Sequence, residues 1–302
     1  MRIGEVMSVD KTALAARIKE YESLTVNDKL ISGLPVIVRL DGVAFHTFTK
    51  GFKRPYDEFL SQLMINTTKY LVKETNARCG YTQSDEITLV LYSDNYNSQI
   101  YFDGRIQKIL SVLAARCSVF FNTRLKEHSE KYYLDKDDIK QLRPGFDFLE
   151  KKAAESPVFD CRIFVVPNKD EAVNTLIWRE KDATRNSISM AAQSVYSHGE
   201  LDGKSASEKQ EMLFASSINW NDYPAYFRRG TYISRSNIFR TFTFEELDKL
   251  PEKHEARRNP ELKICRSTIT QEDFPPITQI LNKKEVIFDG ATPVLSSSVP
   301  LI

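Results

Sequence analysis

Two β-branched apolar runs, each next to an acidic residue and separated by one amphipathic segment, constrain the fold of this chain most. Residues 36–40 and 87–92 form these runs, and both have the composition of buried strands. Between them, apolar residues recur at helical spacing over 59–71. A second helical pattern over 106–121 and an alternating pattern over 158–166 follow. This order predicts an α+β fold of the split βαβ class, with helices packed on one side of a sheet.

The segments outside this pattern are predicted to be helical, except for the C-terminus. Residues 11–23 have apolar positions near helical spacing and predict an amphipathic helix. After the third strand, further helices are predicted over 170–178, 182–195 and 207–214. The last of them begins with a predicted capping box from Ser207 to Gln210. Beyond about residue 250, prolines and mixed charges predict an irregular tail.

Composition excludes several classes of protein. The 302 residues are 41% hydrophobic and 27% charged, which is typical of a globular protein. No apolar run approaches the roughly 18 residues of a membrane span, and no apolar leader is present, so a soluble cytoplasmic protein is expected. The four cysteines form no C-x-x-C pair, which argues against zinc and disulfides. With a net charge of only +1, any nucleic acid must be held by a local basic groove.

Two acidic residues lie at the ends of the predicted strands. Asp41 ends the first run and is followed by Gly42, where the backbone can approach a ligand closely. Asp85 immediately precedes the second run. Taken alone, the first is typical of an ordinary turn and the second of a solvated loop. In a βαββαβ arrangement both reach one edge of the sheet, and such a carboxylate pair predicts two Mg²⁺ ions and nucleotidyl transfer.

A candidate triphosphate site lies at the start of the second long helix. Arg105 and Lys108 are three residues apart near the helix N-terminus, where the backbone dipole attracts anions. The alternative interpretation is a solvated helix face. The basic residues of 53–54 and 228–229 are, by themselves, more typical of protein surface than of phosphate sites.

Several ordered motifs resemble those of the tRNA-His guanylyltransferases. The likeness covers roughly residues 12 to 235, and its most specific part is the opening motif over 39–57. The other matching motifs are Gln83 to Glu86, Arg105 to Lys108, Phe159 to Arg162, Trp178-Arg179 and Phe227 to Thr231.

The resemblance implies a palm domain like that of polymerases and nucleotide cyclases, here a ferredoxin-like βαββαβ unit with additional C-terminal helices. It implies two Mg²⁺ ions bound by Asp41, the carbonyl of Gly42 and Asp85, with Glu86 as a further catalytic residue beside them. The nucleotide-binding residues that it implies are Asp41, Gly42, Val43, Ala44, Phe45, His46, Arg54, Ser84, Asp85, Arg105 and Lys108.

The resemblance also implies substrates and an organisation. Family members activate an RNA 5′-monophosphate with ATP and then let the 3′-OH of GTP attack it, so that nucleotides are added in the 3′-to-5′ direction. The implied partners are tRNA and nucleoside triphosphates, and the implied assembly is a homotetramer. We predict a catalytic palm with an N-terminal helix over 1–168, a helical nucleotide- and RNA-binding part over 169–250 and the irregular tail over 251–302.

One motif departs from the eukaryotic family members. These carry His-Ile-Asn-Asn-Leu-Tyr-Asn, whereas this chain has a different stretch over 182–190, in which only Asn186 clearly matches a polar residue of that motif. The sequence is more similar to bacterial and organellar guanylyltransferase-like proteins, which prefer templated addition and can repair truncated tRNA 5′ ends. The RNA substrate is therefore either tRNA-His or another RNA.

Two other functions fit part of the pattern. A palm-type nucleotide cyclase would use the same acids, but residues 80–86 lack the double glycine of the diguanylate cyclase turn, and an assay with nucleotides alone separates the two. A noncatalytic RNA-binding module on a ferredoxin-like sheet would need paired aromatic residues on its central strands, and the sequence has no such run. RNA affinity that is indifferent to Mg²⁺ and to Asp85 would favour the module.

Overall fold

A six-stranded antiparallel sheet organises the chain, in the order β4-β1-β3-β2-β5-β6. The computed structural model describes residues 13–95, 98, 100–134 and 139–296. The strands are β1 Val36–Gly42, β2 Cys79–Gln83, β3 Glu86–Leu91, β4 Phe159–Val165, β5 Thr231–Thr241 and β6 Lys263–Glu272. The helices are α1 Ala13–Val26, α2 Phe45–Phe48, α3 Glu58–Thr75, α4 Ile106–Leu134, α5 Ile139–Ala154, α6 Lys169–Gln193, α7 His198–Leu201, α8 Ala206–Ala215, α9 Ala225–Arg229, α10 Phe244–Asp248 and α11 Lys283–Asp289. Short 3₁₀ turns occupy Tyr101–Gly104, Trp220–Asp222, Glu255–Arg257 and Ile277–Gln279.

The first four strands, with α3 and α4 between them, form the predicted βαββαβ unit. Strand β1 lies between β3 and β4, and β2 pairs with β3 through a tight hairpin. The predicted α+β fold class is therefore confirmed. Because β1 lies between β3 and β4, Asp41 near its C-terminal end is flanked by a residue from each neighbour, Glu86 of β3 and Asp160 of β4.

Helices cover both faces of the sheet, which corrects the prediction of helices on one side. Val36, Val38 and Leu40 pack in the core with α3 and α4, whereas Ile37 packs on the opposite face with α6 and α11. All four side chains are almost completely buried. The physical reason is visible in the sequence, because a strand covered on both faces is apolar throughout and does not alternate.

One strand and one helix differ from the prediction because glycine or charged residues lie inside these buried elements. The sequence pattern assigned no residues to strand β2, which contains Gly80. In the fold a Cβ at Gly80 would lie within 3.0 Å of Val72 and Thr68 of α3. Helix α6 is continuous, whereas the prediction divided it at about residue 180. Arg179 and Glu180 interrupt its apolar pattern, but both are buried and have partners.

Two further helices, α1 and α8, differ from the prediction in where they begin. Helix α1 confirms the helix predicted over 11–23 from Ala13 onward, and the first two residues of that prediction lie outside the described residues. Helix α8 begins one residue before the predicted 207, and its capping box joins Ser205 to Glu208. The predicted box from Ser207 is therefore wrong, because Ser207 already lies inside the helix.

The C-terminal region is more regular than predicted. The tail predicted over 251–302 contains β6 and α11, and the predicted helical part over 169–250 contains β5. The prolines that suggested irregularity flank β6 and do not interrupt it, so β5 and β6 pair over ten residues on each strand. Residues 297–302 lie outside the described part, and the division into three parts stays a prediction.

Glu180 connects α6 to this C-terminal region. The Tyr232 hydroxyl donates to its Oε2 at 3.0 Å, and the Ile277 backbone N–H donates to its carboxylate at 3.2 Å. Burial raises the pKa of the Glu180 carboxyl, and the two hydrogen bonds act in the opposite direction. None of the described helices has the length and apolar character that crossing a bilayer requires.

Candidate active site

The two predicted catalytic segments meet at one edge of the sheet. Asp41 and Gly42 end β1, and Ser84-Asp85 forms the turn of the β2–β3 hairpin. The Gly42 N–H donates to the Asp85 carbonyl at 3.2 Å, so the two backbones are in direct contact. The structure thus brings together the two acids that the sequence pattern paired.

The Asp85 carboxylate lies in an unfavourable electrostatic environment. Burial is the largest cause that raises its pKa, a hydrogen bond from Ser84 opposes it, and the nearby negative charge of Asp41 adds to the rise. The charge interaction with His46 lowers the pKa of Asp85. A half-buried carboxylate next to a second one is a site at which a cation is favourable.

The backbone at both acids is unusual for the residues it contains. Ala44 has a φ of 55° and Ser84 a φ of 53°, both in the left-handed region that non-glycine residues rarely adopt. Next to Ala44, the Val43 N–H donates to the Val158 carbonyl at 2.9 Å. Such conformations concentrate at functional sites.

Substituting Gly42 is expected to damage both fold and activity. A Cβ at this position would overlap the ring of Phe45, which is buried and packs against Phe48 and Phe159 at centroid distances of 5.1 and 5.0 Å. We expect Gly42→Ala to lower the free energy of unfolding by about 2 kcal/mol, from overpacking. Denaturant unfolding measures this. Gly199→Ala is the control, because a Cβ there meets nothing within 4 Å; equal stability of the two variants would contradict the assignment.

A cavity of about 390 Å³ opens beside the acids. Its floor is aromatic and apolar, with Phe45, Phe121 and Met64. Its rim carries His46, Ser84 and Asp85 from the catalytic segments, and Lys53 and Arg54 from the loop after α2. Further walls come from Tyr56, Met190, Gln193, Tyr226 and Phe227. The volume and the combination of apolar floor and cationic rim suit a nucleotide.

Arg105 and Lys108, the predicted triphosphate-binding residues, lie away from the cavity. Arg105 forms a β-bridge with Lys29, and the Ile106 N–H donates to the Asp28 carbonyl at 3.0 Å. Asp28 and Lys29 precede β1, whereas Asp41 lies near the other end of that strand. The length of the strand therefore separates Arg105 from Asp41 by about 20 Å. Within one chain Arg105 and Lys108 do not reach the cavity. Helix α4 begins at the end of the sheet where β3 ends, and the cavity lies at the end where β3 begins. Lys53 and Arg54 are the cations that line it.

Glu86, predicted as a further catalytic residue, is paired with two arginines. Its carboxylate accepts from Arg39 at 3.3 Å and pairs with the buried Arg179 of α6. Two guanidinium groups therefore neutralise it on the α6 face of the sheet, where it connects β1 and β3 to the helix. Val43 and Ala44, also predicted to contact the nucleotide, are exposed on the loop above the cavity and do not line it.

Sequence reasoning gave no role to the partners of Asp41. Arg162 lies 3.6 Å from Asp41 Oδ2 and 3.2 Å from Asp160 Oδ2. Asp160 and Arg162 belong to β4, and the register of β4 against β1 places Asp160 opposite Asp41. The signal was available in the motif of residues 159–162, but only the strand register shows that it adjoins Asp41.

Comparisons with known proteins decide the family. The family described as tRNAHis guanylyltransferase matches residues 15–167. The chain belongs to the tRNAHis guanylyltransferase family. This membership makes it an enzyme of the guanylyltransferase type, a nucleotidyltransferase, and the sequence resemblance is confirmed.

Solved and curated relatives agree with the family in fold and length. A bacterial tRNA(His) guanylyltransferase-like protein in complex with ATP is 36% identical with a TM-score of 0.63, over 74% of this chain and 88% of that chain. One in complex with GTP is 28% identical with a TM-score of 0.62, over 88% and 94%. The tRNA(His) guanylyltransferase of Candida glabrata is 28% identical over 77% of this chain and 95% of its own.

Proposed function

We propose that this guanylyltransferase family member catalyses metal-dependent nucleotidyl transfer to the 5′ end of a tRNA, at the site formed by Asp41 and Asp85. The observation that carries the proposal is the direct contact between the two acid-bearing segments at the edge of a nucleotide-sized cavity. Paired carboxylates beside a cationic rim suit phosphoryl chemistry, because the reacting groups are polyanions.

The residues present fit two Mg²⁺ ions. The proposed ligands are the Asp41 and Asp85 carboxylates and the Gly42 carbonyl, which are hard oxygen donors. Among the described residues, no group of three or more His, Cys, Asp or Glu side chains is arranged to hold a metal. That agrees with Mg²⁺, which is commonly held by one or two carboxylates together with substrate phosphates. When bound, Mg²⁺ offsets negative charge on the phosphates and on the attacking and leaving oxygens.

The cavity residues are proposed to orient a nucleoside triphosphate. Lys53 and Arg54 are proposed to contact the phosphates, and Ser84 and His46 line the same cavity. The apolar floor around Phe45 accepts the base or ribose. The neighbours solved with ATP and GTP support both nucleotides as substrates. Met190, Gln193 and Tyr226 complete the cavity, which supports a nucleotide-binding role for the part over 169–250.

The proposed reaction has two transfers. The 5′-monophosphate of the RNA attacks ATP at its α-phosphorus, so the RNA gains AMP and pyrophosphate leaves. The 3′-OH of GTP then attacks the activated 5′ phosphorus, and AMP leaves as the new 3′–5′ bond forms. Addition therefore proceeds in the 3′-to-5′ direction. The departure over 182–190 supports templated addition or repair of truncated tRNA as the preferred use.

Incorporation of labelled GTP into 5′-monophosphorylated tRNA, with ATP and Mg²⁺, tests the proposal. Full-length and 5′-truncated tRNA are compared in parallel, and preference for the truncated form supports repair. Nucleotides without RNA form the control for a cyclase. RNA binding without incorporation, indifferent to Mg²⁺, would replace the proposal with a noncatalytic RNA-binding module.

We propose in addition that the chain assembles as a homotetramer. The support within the structure is an exposed apolar side of α1, where Leu14, Ile18 and Tyr21 are 57, 48 and 57% exposed. Such residues at helical spacing are typical of a protein interface. Sedimentation equilibrium measures the mass, and a monomer at working concentrations would contradict the assembly.

A further inference from the structure

An exposed tryptophan lies on the sheet face next to the proposed catalytic acids. Trp178 projects from α6 and is 51% exposed. The guanidinium carbons of Arg179 and Arg39 lie 4.7 and 5.9 Å from its ring centroid. Both cations lie close to the indole, and about half of its surface is open to solvent. An indole with two guanidinium groups near its ring and half of its surface exposed is a platform for a second flat group.

The strand register connects Trp178 to Asp41. Arg39 precedes Asp41 by two residues on β1, so the two side chains share one face of the sheet. Arg162 lies opposite Arg39 on β4 and is 57% exposed, and its guanidinium reaches to 3.6 Å from Asp41. Trp178, Arg39 and Arg162 therefore form a continuous path that ends at the proposed metal ligand.

The surface around this path mixes aromatic and cationic side chains. Phe164, two residues beyond Arg162 on β4, is 40% exposed. Along α6 the exposed positions near Trp178 carry Lys181 and Arg185, which are three and seven residues after it and so fall on the same side of the helix. We name this surface, formed by Arg162, Phe164, Trp178, Lys181 and Arg185, the α6–β4 surface.

We propose that the α6–β4 surface binds unpaired nucleotides of the RNA substrate next to its 5′ end, with one base stacked on Trp178. This inference rests on the proposed function and assigns a position on the protein to the RNA substrate. Single-stranded nucleic acid is recognised by aromatic platforms between cations that follow the backbone. A protein partner is disfavoured, because the aromatic residues are separated by charged ones and form no continuous apolar patch. Arg162 then contacts the phosphate closest to Asp41.

Trp178 itself reports on this contact. The chain has two tryptophans, so Trp220→Phe leaves Trp178 as the single indole. Trp220 donates to Ser187 Oγ at 3.2 Å and does not line the cavity. In this variant, without nucleotides or metal, we expect a 5′-monophosphorylated single-stranded oligonucleotide to quench the fluorescence. A blunt duplex of the same sequence is expected to quench it several-fold less. Equal quenching by both, or none, would overturn the proposal.

Side-chain variants separate stacking from structure. Trp178→Leu is expected to raise the dissociation constant for the single strand about tenfold, and Trp178→Phe to retain most of the affinity. Phe244→Leu is the matched control, since Phe244 is 90% exposed on α10, away from the α6–β4 surface. Thermal melts establish that each variant is folded.

The outcomes distinguish this inference from the proposed function. Unchanged RNA affinity in Trp178→Leu, with GTP incorporation still dependent on Asp85, would overturn only the RNA path. RNA affinity lowered as expected, with no incorporation by the wild type on any RNA, would overturn the proposed function and leave the binding surface. If Trp178→Leu alters the sedimentation coefficient but not RNA affinity, Trp178 contacts another copy of the chain and the inference fails.

Discussion

Asp85→Asn is expected to lower GTP incorporation by about 10³-fold or more while the protein stays folded. The substitution preserves the shape of the side chain and removes the charge that the proposed metal site needs. Because burial and the charge of Asp41 both raise the pKa of Asp85, its ionised form is unfavourable in the folded protein. We therefore expect the metal-free variant to melt at a higher temperature than the wild type.

Matched variants keep this prediction specific. Asp41→Asn is expected to cause a loss of similar size. Asp57→Asn is not a suitable control, since Asp57 caps α3 by accepting from the Leu60 N–H. Asp248→Asn, at the exposed end of α10, should leave incorporation unchanged. Single-turnover kinetics with ATP and GTP measure the rates. An Asp85→Asn rate within tenfold of the wild type would rule out Asp85 as a metal ligand.

The largest expected effect on stability is at Glu180. Glu180→Ala leaves the Tyr232 hydroxyl and the Ile277 N–H without their acceptor, in a region where Tyr232 is buried. We expect it to lower the free energy of unfolding by about 3 kcal/mol. Glu180→Gln retains an acceptor oxygen and removes the charge, so it should be much less harmful. Chemical denaturation at neutral pH compares the variants with the wild type.

The pH dependence of these variants has a definite sign. The pKa of Glu180 is raised above its ordinary value of 4.5 in the fold, so the folded protein holds this proton more tightly than the unfolded chain. The wild type therefore loses stability relative to Glu180→Gln as pH rises from 4.5 through the folded pKa, and the difference is complete above it. A wild type that gains stability relative to Glu180→Gln as pH rises would contradict the buried position of this carboxylate.

The sequence predicted the elements that obey a simple period. Strand β1 and helix α3 were predicted from apolar composition and three-to-four spacing, which report burial directly. Strand β2 was missed because Gly80 serves close packing against α3 and not a break in the chain. Strand β6 was missed because its residues are mostly exposed at the edge of the sheet and carry no apolar alternation. Pairing with β5, a tertiary contact, stabilises it.

At the active site too, the sequence did not show which residues tertiary packing brings together. Asp41 and Asp85 were paired correctly because each adjoins a strand of a recognisable unit. Arg105 and Lys108 were assigned to the same ligand, but local spacing says nothing about which end of the sheet a helix begins at. Trp178 and Arg162 lie beside Asp41 only through the packing of α6 and the register of β4. Position relative to another element is the information that one sequence lacks.

The most direct test of 5′-end transfer uses a tRNA whose 3′ terminus has been oxidised with periodate, which destroys the 3′ acceptor and leaves the 5′-monophosphate intact. Labelled GTP is supplied with ATP and Mg²⁺, and the labelled end is mapped by nuclease digestion. We predict that label enters at the 5′ terminus, and that removal of the 5′ phosphate or Asp41→Asn abolishes it. Incorporation that requires an intact 3′ end, or that survives Asp41→Asn, would contradict the account.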